Sequence, residues 1–324
     1  MRIPEACLNT GSDTLQKNRR LDMEKKQNNK LRKFIHHNNT AGYLFSLPFI
    51  VGFLGFTLIP ILVSMYYSVT DYKLGQDASF IGMENYFSLL ADERFLNSMK
   101  VTIIYVVISV PVKLAFALLV AYLLTKKRKG VTFYRSLYYV PSLIGGSIAV
   151  ALVWKTIFST RGLANAILTG IGMKKISWLG DPNAAMGILI AMAAWQFGSS
   201  MIIFAAGLKE IPGSYYEAAD IDGANKFQRF FRITLPCLSP IILYNLVMQT
   251  ISAFMSFTQA FVITQGGPND ATNFYALYVY KHAFQYANMG YASAMSWIML
   301  VLISIVTLVI FKSSKFWVFQ ESDQ

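Results

Sequence analysis

Six long apolar runs dominate this sequence and leave few folds open to it. They cover Gly42–Val69, Val101–Leu124, Leu137–Phe158, Ala184–Leu208, Leu238–Thr264 and Tyr291–Phe311. A helix crosses the hydrocarbon core of a bilayer with about 20 consecutive apolar residues, and every run reaches that length. A soluble helix would keep a charged, polar face opposite its buried stripe, and none of these runs has a charged face. Charged residues make up only 14% of the chain, where soluble domains carry about a quarter. The expected fold is all-α: a polytopic membrane protein with six transmembrane helices.

The stretch before the first run, Met1–Thr40, is polar and basic, and the run itself is too long for a cleavable signal core. We read residues 1–41 as a cytoplasmic basic tail, dispensable for the chemistry, and residues 42–324 as the transmembrane domain. The formal charge of +12 would suit nucleic acid, but its distribution argues against such a partner. With a cytoplasmic N-terminus, the tail and the segments 125–135, 209–236 and 312–324 hold 20 of the 29 Lys and Arg residues, and the opposite loops hold seven. That asymmetry is the positive-inside pattern. It predicts a multi-pass membrane protein with both termini in the cytoplasm. The densest block, Lys126–Lys129, reads as a topology anchor.

Several chemistries find no support. Cys7 and Cys237 make no disulfide framework, and His36, His37 and His282 lack metal-ligand spacing. The chain contains no G-x-x-x-x-G-K-S/T phosphate loop, so it should not bind ATP by that route. No nucleophile elbow is present either. Energy must come from a partner or an ion gradient. In the loop between the first two runs, the mixed stretch Phe80–Phe87 is expected to form a short interfacial helix. Pro48, Pro60, Pro111 and Pro141 fall inside runs, where they either kink a helix or shape a path.

The segment between the fourth and fifth runs, residues 208–236, carries the most specific motif. It reads Glu217-Ala218-Ala219, three residues, Gly223, nine residues, then Ile233-Thr234-Leu235-Pro236. Residues 215–222 have helical composition, and Gly223 supplies a turn where a side chain would obstruct. Residues 226–233 follow as a second short helix that Pro236 ends. All seven fixed positions match the EAA loop of permeases from ATP-binding-cassette (ABC) importers, which this sequence resembles. Further similarity to the carbohydrate branch of that family lies in Asp71-Tyr72, Gly82–Tyr86, Tyr138–Pro141, Ile211-Pro212 and Gly266-Gly267-Pro268, with Gln265 where that branch commonly has glycine.

The resemblance implies a permease working with a second, homologous permease, two ATPase subunits and an extracytoplasmic solute-binding protein. It implies that ATP and Mg are bound by those ATPases, that this chain has no cofactor of its own, and that it is not an enzyme. It also implies that the loop is a cytoplasmic coupling helix docking into an ATPase cleft, with Glu217, Ala218, Ala219 and Gly223 in that role. Transport would then proceed by alternating access.

Residues for the substrate path are sought in the runs. Asn245, Gln249, Ser252, Ser256 and Gln259 recur at spacings of four, three, four and three, which puts them on one helical stripe. Amide and hydroxyl groups suit sugar hydroxyls; hydrogen bonding between helices is the alternative. Lys113 sits midway along the second run, and none of the 17 acidic residues lies in any run. A charge at such depth points to function, with snorkelling or a partner on the second permease as the other readings. Lys155 lies nearer the surface, where solvent accounts for it. If both lysines face the path, an anionic sugar such as an alginate oligosaccharide, a chain of uronates, becomes the expected cargo. An ion-coupled secondary transporter is the rival, and it would call for acidic residues within the runs and for inverted repeats.

Overall fold

A computed structural model describes residues 38–125 and 130–319. The readings of the tail (with Cys7, His36 and His37) and of the basic block Lys126–Lys129 lie outside these residues. The described residues divide into two compact units, on either side of the step from Ser64 to Met65. Helix α1 (Asn38–Phe53) contains Pro48 and passes through a π-turn, Leu54–Leu58, into α2 (Ile59–Ser68), within which the division falls. The π-turn immediately precedes Pro60, whose missing N–H would break a regular α-ladder. Phe45–Ser68 is long and apolar enough to cross a membrane.

The second unit continues with α3 (Glu84–Ala91), α4 (Glu93–Thr125), α5 (Val131–Ile144), α6 (Ile148–Ile157), α7 (Leu163–Gly170), α8 (Pro182–Trp195) and α9 (Gly198–Glu210). Helices α10 (Gly213–Ile221), α11 (Lys226–Arg229), α12 (Ser239–Phe254), α13 (Tyr275–Tyr280) and α14 (Met289–Ser314) complete it. Among the described residues, β-structure is limited to the isolated bridges Thr70–Phe80 and Lys73–Asn288.

The six apolar runs become helical, but only three stay unbroken: Phe45–Ser68, Glu93–Thr125 and Met289–Ser314. The other three are bent pairs. The third run turns by 97° between α5 and α6, the fourth by 42° between α8 and α9, and the helix leading into the fifth meets α12 at 65°. Counting each pair as one span gives six. The third run was expected to be a single helix; instead Gly145-Gly146 interrupts it, and the Ser147 side chain restarts it by accepting the Val150 N–H (3.3 Å). Capping oxygens of this kind satisfy an amide that has no helical partner. Pro111, by contrast, sits within α4 without breaking it.

Helix α4 is the central post, packed against α8, α9, α12 and α13. Val106, Val110, Leu114, Ala117 and Ala121 are buried in the core, recurring at the three- and four-residue steps of one helical face. Small residues let neighbours come close: a Cβ on Gly198 would collide with the Tyr138 carbonyl and sit 2.7 Å from the Tyr139 Cα. Helices α5 and α9 therefore touch through backbone.

The start of α4 is fixed by Asp92. Its Oδ1 accepts the N–H groups of Arg94 (2.9 Å) and Phe95 (3.2 Å), and its Oδ2 accepts the hydroxyls of Tyr278 (2.7 Å) and Tyr291 (3.0 Å). Burial pushes this carboxyl up, but the hydrogen bonds from Tyr278, Phe95, Tyr291 and Arg94 together outweigh burial and hold it below the usual carboxylate range. One residue thus joins α4, α13 and α14. The stretch expected to be an interfacial helix over Phe80–Phe87 forms α3 slightly later, at Glu84–Ala91. Gln265 adopts a left-handed φ of 53°, a conformation that favours glycine, which accounts for the glycine common there in the carbohydrate branch.

Candidate transport cavity and EAA loop

Interruptions in the helices create a cavity of about 260 Å³ in the second unit. Helix α4 contributes Tyr105, Ser109 and Lys113, one helical turn apart along a single stripe. Gln196 enters from the break between α8 and α9, and Gln249 and Ser252 from α12. Ser256, Phe257 and Gln259 come from the chain beyond Phe254, where α12 ends. Ser256 Oγ lies 3.4 Å from Gln259 Oε1. Irregular backbone at membrane depth is tolerated where it lines a cavity, and this is such a place.

Lys113 is half-buried, and it is the charged residue among the side chains that line the cavity. No ion pair involves it among the described residues. Lys155 is positioned otherwise. Its ammonium donates to the Val262 carbonyl (3.1 Å), tying α6 to the π-turn Ala260–Thr264. Solvent was its expected partner; a carbonyl takes that part, and of the two lysines Lys113 alone lines the cavity.

The stripe proposed for the fifth run is divided. Gln249, Ser252, Ser256 and Gln259 line the cavity, whereas Asn245 is 1% exposed and donates to the Ile241 carbonyl of its own helix (3.0 Å). The spacing argument assumed one continuous helix, but α12 stops at Phe254 and a π-turn begins at Ala260. Sequence reasoning overlooked Tyr105, Ser109 and Gln196. Their signals were present: a four-residue repeat ending at Lys113, and the one amide in the run Ala184–Leu208.

The EAA segment folds as a compact helical hairpin. On α10, Glu217 and Ala218 are exposed while Ala219 is buried. Gly223 has φ of 73°, and a Cβ there would meet nothing within 4 Å of it in this chain. The glycine therefore serves the left-handed turn, and the expected steric obstruction is absent. Beyond the turn, the Asn225 side chain accepts the Gln228 N–H (2.8 Å), and Gln228 Oε1 accepts the Asn225 N–H (2.8 Å), a reciprocal cap that starts α11.

Two side-chain links fasten the hairpin. Asp220 pairs with Arg229, and the Tyr216 hydroxyl lies 2.9 Å from Oγ1 of buried Thr234. Pro236 was expected to end the second helix. Instead a π-turn over Phe230–Thr234 carries the helix through to Cys237, and the bend falls at Leu238. The π-turn shifts the hydrogen-bonding register just ahead of the proline. At the tip, Ile221 is 88% and Phe227 72% exposed.

Comparison with known proteins places this architecture. Residues 86–318 match the family described as binding-protein-dependent transport system inner membrane component. The chain is 51% identical over 299 residues to the probable ABC transporter permease protein YesP of Bacillus subtilis (strain 168), covering 91% of this chain and 97% of that one. It is 31% identical over 290 residues to the arabinooligosaccharides transport system permease protein AraP of the same organism, covering 87% and 91%. Among solved structures, a chain of the bacterial alginate ABC transporter in complex with alginate pentasaccharide-bound periplasmic protein superposes with a TM-score of 0.76 at 24% identity, over 88% of this chain and 97% of that chain. These relatives are membrane permease components and not enzymes. With its bent spans and its EAA hairpin, the chain belongs to the family of binding-protein-dependent transport system inner membrane components.

Proposed function

We propose that this chain is the permease subunit through which an ABC importer moves an acidic oligosaccharide across the cytoplasmic membrane. The observation that carries the reading is Lys113, a half-buried cation with no ion-pair partner among the described residues, on a cavity otherwise lined by amides, hydroxyls and apolar groups. A carboxylate on the cargo would supply the missing charge, while Gln196, Gln249, Ser252 and Ser256 replace water around its hydroxyls. The naming of one relative for arabinooligosaccharides and the fold likeness to an alginate transporter support a sugar as cargo.

Membership of the family supports a reading of the rest of the machine. A second, homologous permease would close the path, and a solute-binding protein would deliver the sugar. Two ATPase subunits, binding ATP and Mg, would meet the EAA hairpin through Glu217, Ala218, Ala219 and Gly223. Hydrolysis there would drive alternating access in the membrane domain, residues 42–324. The positive-inside distribution supports cytoplasmic termini, with the tail of residues 1–41 outside the transport chemistry.

The test compares Lys113→Met with Gln249→Ala, using a uronate oligosaccharide and a neutral one of equal length. We expect Lys113→Met to lose uronate transport selectively, and Gln249→Ala to weaken transport of whichever sugar the parent carries. Equal losses for both sugars in Lys113→Met would make the lysine structural and remove the acidic cargo. No loss would take it out of the path.

A further inference from the structure

Helix α7 (Leu163–Gly170) lies in the loop between the third and fourth runs and carries an apolar stripe that this chain leaves uncovered. Leu163, Ile167, Ile171 and Met173 are 61%, 57%, 67% and 54% exposed. The first three recur every four residues, so they share one side. Burial would favour rolling such a stripe inward, but the opposite side is already pinned. Asn165 is 1% exposed and makes four hydrogen bonds. Its Nδ2 donates to the carbonyls of Thr160 (3.2 Å) and Ile176 (2.9 Å), and its Oδ1 accepts the N–H groups of Ile176 (3.0 Å) and Trp178 (3.1 Å). Turning the helix over would break these four bonds together and leave the Ile176 N–H and the Trp178 indole without their acceptor.

Charge selects the surface that fits. Arg161 precedes the stripe, and Lys174 and Lys175 follow it; all three are exposed, and none has an ion pair among the described residues. No acidic residue occurs from Ser159 to Gly180, and Asp181 is occupied in capping α8 through the Ala184 N–H (2.8 Å). A short helix with an outward apolar face flanked by cations matches the boundary between acyl chains and anionic headgroups. Six-span threading puts the loop holding α3 on the same side of the bilayer. There Phe80, Met83, Phe87 and Leu90 are likewise exposed, at spacings of three, four and three.

We propose that residues 161–175 form an interfacial anchor: α7 lies in the bilayer surface with Leu163, Ile167 and Ile171 in the acyl boundary, and Arg161, Lys174 and Lys175 hold anionic phospholipid headgroups. The anchor needs only that the chain spans a membrane. It stands or falls separately from the sugar carried.

The experiment uses the full chain in vesicles of phosphatidylcholine, with and without an equal part of phosphatidylglycerol. A spin label is placed by Ile167→Cys, and the signal of the labelled parent, which has Cys7 and Cys237, is subtracted. We expect relaxation by oxygen to exceed relaxation by a water-soluble nickel chelate, and the label to sink deeper when phosphatidylglycerol is present. Combined Lys174→Glu and Lys175→Glu should abolish that lipid dependence; each cation at an anionic surface is worth about fivefold in partitioning. Relaxation dominated by the chelate would mean that the stripe faces water and would overturn the proposal. A label shielded from both reagents would mean that protein covers it, a second permease or a binding protein, and would overturn it equally. A deep label indifferent to phosphatidylglycerol would refute the headgroup contact. Leu163→Cys and Ile171→Cys read the same face should Ile167→Cys fail to reach the membrane.

Discussion

The hydroxyl of Tyr216 lies 2.9 Å from that of Thr234, joining helix α10 of the EAA loop to the π-turn that leads toward the membrane. Thr234 is buried at 2% exposure, so this contact, together with the Asp220–Arg229 pair, makes the hairpin one mechanical piece. A rigid hairpin can transmit displacement; a hinged one would absorb it.

Breaking that link should loosen coupling and leave the membrane domain assembled. We expect Tyr216→Phe to cost about 0.5–1.5 kcal/mol locally, the net worth of one neutral hydrogen bond. The ratio of sugar imported to ATP hydrolysed should fall in reconstituted transporter, while the amount of chain in the membrane stays unchanged. An unaltered ratio would show that the hairpin holds its shape without the pair.

Gly223→Leu should act more strongly, and through backbone. The left-handed φ of 73° costs an ordinary residue about 1–2 kcal/mol, and the added side chain would stand on the surface we propose meets the ATPase. Hydrolysis should persist with little transport. Gly223→Asn, which tolerates the left-handed region, should retain more of it. Transport at the parent rate in Gly223→Leu would refute the assignment of the turn.

Asn245 and Gln249, one turn apart on α12, should separate cleanly. Gln249 lines the cavity and Asn245 bonds within its own helix. Gln249→Ala should reduce transport several-fold with little change in thermal stability. Asn245→Ala should lower the melting temperature of the detergent-solubilised chain before it alters sugar selectivity. A reversal of these two effects would move the path along α12 from Gln249 to Asn245.

Acid should release the junction at Asp92. Its folded-state pKa lies below the ordinary carboxylate value of about 3.9, so its contribution is complete above that value and is lost as pH falls through the lower folded value. Hydrogen exchange at the start of α4 and in α13 should therefore accelerate only below about pH 4. In Asp92→Asn protection, taken relative to the intrinsic exchange rate at each pH, should already be reduced at neutral pH and should not fall further in acid. Acid acceleration of equal size in the variant would assign the effect to another group.

The sequence by itself determined that the chain is helical and membrane-spanning, and where the EAA hairpin lies. Both conclusions rest on local physics: a bilayer demands long apolar helices with internally paired backbone, and the motif of Glu217 to Pro236 is contiguous. Tertiary structure decided what the motif does to the helices around it. Pro236 looked like a terminator, yet a π-turn supported by the Thr234 contact carries the helix past it. It also decided membership of the cavity. Asn245 shares the periodicity of Gln249 but not its surroundings: it is buried and bonded to the Ile241 carbonyl, whereas Gln249 lines the cavity with Lys113 and with polar residues beyond the helix end at Phe254. Gln196 joins them from another helix pair, through a break at Gln196–Phe197. Periodicity reports which residues share one face of one helix. Which faces meet depends on where helices break and how closely their backbones approach, as at Gly198 against Tyr138, and those are relations between residues far apart in the chain.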